Sequence, residues 1–200
     1  MKTTFSKCDN RLFLASSSPR RKELLQQLNV DFEVINAPIE EVALPNESPE
    51  SYVLRMAIEK ALSGFNKVAG KQIWVVGSDT AVVLHGKVFG KPKNAADAFA
   101  MLSQLSGTEH EVLSGVAVVF DGEVFSAMSK TRVQFKVMSQ VEIEAYIATE
   151  ESFGKAGSYA IQGVGAKFIS HIHGSYSGVM GLPLFELNRL LTEASYYQLA

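Results

Sequence analysis

A single cysteine, Cys8, leaves no internal disulfide and no cysteine-based zinc site. That scarcity fits a reducing cytosol. No apolar run approaches about 18 residues, and Met1-Lys2-Thr3-Thr4-Phe5 carries no apolar core. Neither a membrane span nor a secretory signal is therefore expected. There is also no excess of one charge. Nineteen Lys and Arg stand against 21 Asp and Glu, for a net charge of −2 and no long run of one sign. A general nucleic-acid surface is not expected, and any cationic site must be local. Internal repeats and low-complexity segments are missing. Despite 15 glycines, the chain has neither a G-x-x-x-x-G-K-[ST] loop nor a strand–G-x-G-x-x-G–helix unit. What remains is an ordinary globular composition, 46% hydrophobic and 20% charged over 200 residues. That suits one domain, residues 1–200, with one sizeable core.

The most informative stretch is Ser16-Ser17-Ser18-Pro19-Arg20-Arg21-Lys22. Before it, Arg11-Leu12-Phe13-Leu14-Ala15 reads as a strand. After it, Glu23 to Leu28 reads as a helix with Pro19 in its first turn and Asn29 as its stop. Strand, polar loop and helix start together present free backbone N–H groups to an anion. Arginine suits phosphate because its planar fork donates two parallel hydrogen bonds. The plainer reading makes Ser18 a helix cap and Arg20, Arg21 and Lys22 a solvated turn. Cations at a helix N-terminus oppose the macrodipole, however, unless an anion joins them.

Asp31 to Ile35 reads as a short strand, and Ala37-Pro38-Ile39-Glu40-Glu41 as a loop with paired carboxylates or a solvated edge. Ser48-Pro49-Glu50 opens a long helix: a cap, a first-turn proline and a first-turn acid. Its apolar stripe includes Val53, Met56, Ala57 and Ala61. Lys60, seven residues after Val53, projects from nearly the same face. A lysine there needs a partner or a bound anion, or it snorkels at the stripe's edge. Ile73-Trp74-Val75-Val76-Gly77 is continuous enough for a strand buried on both faces. Its carboxyl end is Ser78-Asp79-Thr80, where open α/β sheets place their sites; the alternative for Asp79 is a turn. Residues 81–84 continue as strand, His85-Gly86 turns, and Gly90-Lys91-Pro92 delivers a second lysine or an exposed loop residue. Asn94 caps a helix through Leu105. Residues 112–120 and 123–137 read as a hairpin around Asp121-Gly122. Ser139 and Glu142 form a capping box for a structural helix. Leu182-Pro183-Leu184 begins a last helix through Leu191.

Two glycine-dense stretches, residues 154–165 and 174–183, are weak signals alone, because mobile loops look alike. His171 and His173 share one face of an expected strand, as two metal ligands would. No third ligand stands near, so a packed or half-exposed pair is the expectation.

The constellation is four cations (Arg20, Arg21, Lys60, Lys91), carboxylates at Glu40, Glu41 and Asp79, and hydroxyls at Ser16, Ser17 and Ser18. Hydrolysis of a nucleotide at phosphorus needs that mixture. Cations hold polyphosphate and stabilise developing charge. Carboxylates bind a hard divalent cation, and one accepts the proton of the attacking water.

The chain resembles the Maf family of nucleoside triphosphate pyrophosphatases. The matching segments are residues 15–21, Glu40-Glu41, Glu59-Lys60-Ala61, Gly77-Ser78-Asp79-Thr80, Gly90-Lys91-Pro92, and residues 157–163 and 174–183. The resemblance implies a cytoplasmic enzyme that releases pyrophosphate from a nucleoside triphosphate, leaving the monophosphate. It implies an α/β fold, two-lobed, with a central mixed sheet flanked by helices and an active-site cleft, often in a homodimer. It assigns Asp79 as proton acceptor, with Glu41, Lys60 and Lys91 at other active-site positions. Ser16, Arg20 and Arg21 match the phosphate-binding loop, and a divalent cation, Mg²⁺ or Mn²⁺, would sit on Glu41 and Asp79. Arg20, Thr80 and Gln162 match the branch similar to dTTP/UTP pyrophosphatases. Gln162 offers both a donor and an acceptor, which suits a pyrimidine imide edge. Gly90 departs from members that carry Glu before the lysine, which leaves metal binding to Glu41 and Asp79. A second reading, a nucleotide-binding regulator of cell division or septum formation with incidental turnover, stays open at this point.

Overall fold

A computed structural model describes residues 11–199; Cys8 and the reading of residues 1–5 fall outside them. The polypeptide runs β1 (Arg11–Ala15), α1 (Pro19–Gln26), β2 (Phe32–Ile35), α2 (Pro49–Phe65), β3 (Ile73–Leu84), β4 (Lys87–Phe89), α3 (Ala95–Leu105), β5 (Glu109–Phe120) and β6 (Glu123–Phe135). It continues through α4 (Gln140–Ile147), two 3₁₀ turns at Ala156–Ser158 and Val164–Phe168, β7 (Ile169–His173), α5 (Tyr176–Met180), α6 (Leu184–Glu193) and α7 (Tyr196–Leu199). The strands form one mixed sheet in the order β2-β1-β3-β5-β6-β7, with β4 also paired to β3. β1 lies parallel to β2 and β3; the remaining pairs are antiparallel.

The local signals act as expected. Asn29 adopts φ 53° and ends the turn after α1. Asp121 and Gly122, at φ 49° and 83°, make the two-residue turn that joins β5 to β6, because paired positive φ angles match the strand twist. Ser139 and Glu142 complete a capping box. Ser18, in contrast, makes no side-chain cap; its N–H instead donates to Ser16 Oγ at 3.2 Å.

Alternation along β3 assigns its two faces. Val75 faces α2, whose Ala57 and Ala61 pack over Ala117 and Val119 of β5. A Cβ on Gly77 would stand 2.3 Å from the Ala57 carbonyl oxygen, so only glycine allows α2 this close. Trp74 and Val76 face the other way, onto Leu187, Leu190 and Leu191 of α6. Trp74 donates to the Ala194 carbonyl at 2.8 Å. Further along this second face, Val82 and Leu84 pack with Phe89, Leu102, Phe135 and Tyr146 in a separate cluster. Two cores on one sheet face make the two lobes. Asp79 shares the parity of Val75 and Gly77, so it projects toward α2.

The expected break in β3 does not occur. The strand runs unbroken from Ile73 to Leu84, and β5 pairs with it from Trp74 through Val83. Asp79 is therefore neither a turn residue nor the end of its strand. The sequence there has no breaker, and small Gly77 and Ser78 let the buried ladder pass. What ends beside Asp79 is β1: its pairing with β3 stops at Leu14–Val76, and that of β4 begins only at Val82. Residues 77–81 of β3 thus have a strand neighbour on one side only. Among the described residues, no helix is long and apolar enough to cross a membrane.

Candidate active site

A cleft of about 640 Å³ opens at that gap, a size that suits a small-molecule ligand. Each element around it delivers one part. The β1–α1 turn brings Ser16, Arg20 and Arg21, α2 brings Lys60, β3 brings Asp79 and Thr80, the segment after β4 brings Lys91, and the glycine-dense segment brings Lys155 and Gln162. Five cations and two carboxylates, Glu41 and Asp79, line it in a protein whose net charge is −2. The positive charge is local, as the composition required.

At the centre, Lys60 Nζ lies 2.6 Å from Asp79 Oδ1 and 2.6 Å from Glu41 Oε1. Lys60 and Asp79 are buried, whereas Glu41 is about half exposed. The inward lysine of α2 is thus a paired group, not a snorkelling one. Burial pushes the Glu41 carboxyl up. The hydrogen bond from Lys60 and the charges of Lys60, Lys91 and Arg21 outweigh it, and hold Glu41 below the ordinary carboxylate value. Glu40 is exposed and does not line the cleft, so the carboxylate pair of the loop splits. Asp79 Oδ2 has no protein donor among the described residues.

The two arginines are anchored from behind. Arg21 Nε donates to the Gly181 carbonyl at 2.8 Å, and Arg20 Nε to that of Met180 at 3.4 Å. Arg21 also reaches Ser16 Oγ at 3.4 Å. Both guanidinium groups are drawn below their ordinary pKa chiefly by burial, and Asp79 offsets this for Arg21. This explains the second glycine-dense stretch: residues 180–181 supply carbonyls that orient the two arginines of the β1–α1 turn. Gly181 adopts φ 123°, and its carbonyl also accepts from Ser78 Oγ at 3.0 Å. The Thr80 hydroxyl reaches the cleft wall but lies 3.0 Å from Ser114 Oγ.

A profile described as "Maf-like protein" matches residues 11–194. The chain belongs to the Maf family. Curated relatives agree in name across nearly the full length. A "dTTP/UTP pyrophosphatase" of Hydrogenovibrio crunogenus is 60% identical over 187 residues, 94% of this chain and 97% of the relative. Proteins of the same name from Pseudoalteromonas atlantica and Nitrosospira multiformis are 48% and 47% identical, covering 92% and 94% of this chain and 97% and 96% of their own. Among solved structures, the Ham1 protein of Staphylococcus aureus aligns at a TM-score of 0.46 and 16% identity, over 63% of this chain and 72% of its own.

Two residues of the Maf cleft escaped the sequence reading. In the sequence Lys155 is only one residue of a glycine-dense run. It lines the cleft half-buried, and burial first, with the nearby charge of Arg20, lowers its pKa. Tyr52, on the cleft side of α2, also lines the wall. Neither carries a spacing signal; a lysine between glycines is the only hint for Lys155. His171 and His173 are neither packed nor half-exposed, as expected of them, but both exposed on edge strand β7, and no cluster of three metal-ligating side chains forms among the described residues. An edge strand has no further neighbour to cover them. His110, by contrast, is buried, with Nε2 2.9 Å from Tyr159 Oη. Burial pushes it down to about 4, so it is neutral at neutral pH and acts as a wedge behind the cleft wall.

Proposed function

We propose that this cleft hydrolyses dTTP and UTP to the monophosphate and pyrophosphate. The carrying observation is the Glu41–Lys60–Asp79 cluster facing anchored arginines in one cleft; the relatives' shared name supports the substrate. Water attacks the α-phosphorus, the bond from that phosphorus to the bridging oxygen breaks, and pyrophosphate leaves with the bridging oxygen. Asp79 takes the proton of the attacking water on its free oxygen, while Lys60 holds the other oxygen in place. Arg20, Arg21, Lys91 and Lys155 face the triphosphate and stabilise the charge that develops on it. Gln162 meets the base edge. The regulator reading is not favoured, because a pure binder needs no water-activating carboxylate.

Glu41 and Asp79 are the carboxylates that line the cleft, and beyond the oxygens that hold Lys60 each has a second oxygen of the kind a hard divalent cation takes. Glu41 and Asp79 would hold Mg²⁺, or Mn²⁺, with phosphate oxygens and water completing its shell. When bound, such an ion neutralises phosphate charge and orients the chain of phosphates. The same reading carries a cytoplasmic homodimer with no nucleic-acid partner; light scattering at micromolar concentration tests the dimer.

The experiment is a hydrolysis panel of dTTP, UTP, CTP, GTP and 7-methyl-GTP, with and without Mg²⁺, in which pyrophosphate is separated from phosphate. Pyrophosphate mainly from dTTP and UTP is the expected result. Turnover confined to 7-methyl-GTP would discard the pyrimidine assignment. Bound nucleotide without turnover would overturn the enzyme reading.

A further inference from the structure

The first glycine-dense stretch has a physical explanation that lies outside the cleft. The turn 160–165 carries Gln162 at the cleft wall. It is tied down by two side chains that do not line the cleft, Tyr146 at the end of α4 and Glu151 just after it. Glu151 Oε2 accepts the Val164 N–H at 2.8 Å, and Oε1 accepts the Gly165 N–H at 3.0 Å. The Tyr146 hydroxyl donates to the same Oε1 at 2.8 Å and accepts the Ala160 N–H at 3.1 Å. Three backbone N–H groups of one turn therefore end on one carboxylate and one phenol. Glycine is required for the fit. A Cβ on Gly163 would lie 2.0 Å from Glu151 Oε2, and one on Gly165 would lie 2.9 Å from the Tyr146 hydroxyl. Tyr146 is fully buried, edge-on to Phe168, so the phenol is a fixed post. A side chain that reads a base by one or two hydrogen bonds discriminates only if its backbone is held.

We propose that Glu151, braced by Tyr146, is a positioning residue for base selection: it fixes the turn bearing Gln162 and sets pyrimidine preference without touching the nucleotide. This rests on the function proposed above. The carboxylate suits the task because it accepts on both oxygens at once. An amide at this position would turn one N–H against an N–H of the turn or against the hydroxyl.

The test compares wild type, Glu151→Gln, Gln162→Ala and the double variant on dTTP, UTP and CTP, with kcat and KM measured separately. Tyr146→Phe, which keeps the buried ring, is the second variant should Glu151→Gln fail to fold. The expected result for Glu151→Gln is a preference for dTTP over CTP reduced by about tenfold, the scale of one lost hydrogen bond in recognition. The loss should appear mainly in KM, and Tyr146→Phe should move in the same direction. In the Gln162→Ala background, Glu151→Gln should change the preference no further. An unchanged preference in both variants, or effects that simply add in the double variant, would overturn the proposal and leave the function standing. A wild-type protein that releases no pyrophosphate from dTTP would overturn the function, and this inference with it.

Discussion

Replacing Lys60 by Met tests the centre of the site, because it keeps the aliphatic stem and removes only the charge. In the native protein, the Lys60 and Asp79 side chains are 11% and 12% exposed, and Glu41 is 48% exposed. Both carboxylates lie 2.6 Å from one nitrogen, so the variant leaves two negative charges within about 5 Å of each other. At an effective dielectric of about 20, such a pair repels by about 3 kcal/mol. Removing one partner of a buried pair costs about 3–5 kcal/mol, and the half-exposed Glu41 places this case near the lower end. For a chain of this length, about 3 kcal/mol lowers Tm by roughly 6–12 °C. The loss should depend on pH. In the native state the Glu41 carboxyl lies below its ordinary value of 4.5, because the Lys60 bond and nearby cations outweigh the upward push of burial. A depressed carboxylate contributes stability that is present above its unfolded pKa and lost as pH falls through the folded one. The gap between native protein and variant is therefore largest above about pH 5, and it narrows as pH falls below 4.5. Calorimetry at pH 7.5 and pH 4 reads this directly. Equal losses at both pH values would mean that packing, not charge, was removed, and that the ion cluster does not hold the centre of the site together.

Asp79→Asn should lower kcat for dTTP by about 10²- to 10⁴-fold with an unchanged circular dichroism spectrum. An unaltered kcat would remove Asp79 as the proton acceptor. Lys155→Ala and Lys91→Ala should each weaken handling of the triphosphate, seen as a higher KM for dTTP. If neither KM moves, the two lysines do not meet phosphate. Gly77→Ala should cost about 1–3 kcal/mol or more, because its Cβ would press on the Ala57 carbonyl at 2.3 Å. A Tm within a degree of the native value would mean that α2 sits further from β3 than described.

Much of the local structure was legible because it depends on near neighbours in the chain. Pro19, Ser48-Pro49, Asn94 and the Ser139–Glu142 box mark helix starts, and each helix begins where they stand. The inward position of Lys60 followed from helical period alone. Family motifs named the cations and carboxylates of the cleft before their convergence was visible, and Arg20, Arg21, Lys60, Asp79, Lys91 and Glu41 do share it. Period and motif could not say which groups touch. That Glu41 and not Glu40 reaches Lys60 depends on the path of an irregular loop. That Asp79 meets Lys60 depends on the strand parity that turns residue 79 toward α2, and on glycine letting the helix approach. The sequence also suggested a strand ending at Asp79, whereas the sheet continues and the gap comes from where β1 stops and β4 starts, a matter of register between distant segments. Lys155, the carbonyls behind the arginines and the Glu151 clamp were invisible for the same reason: each joins residues with no periodic relation, and only packing brings them together.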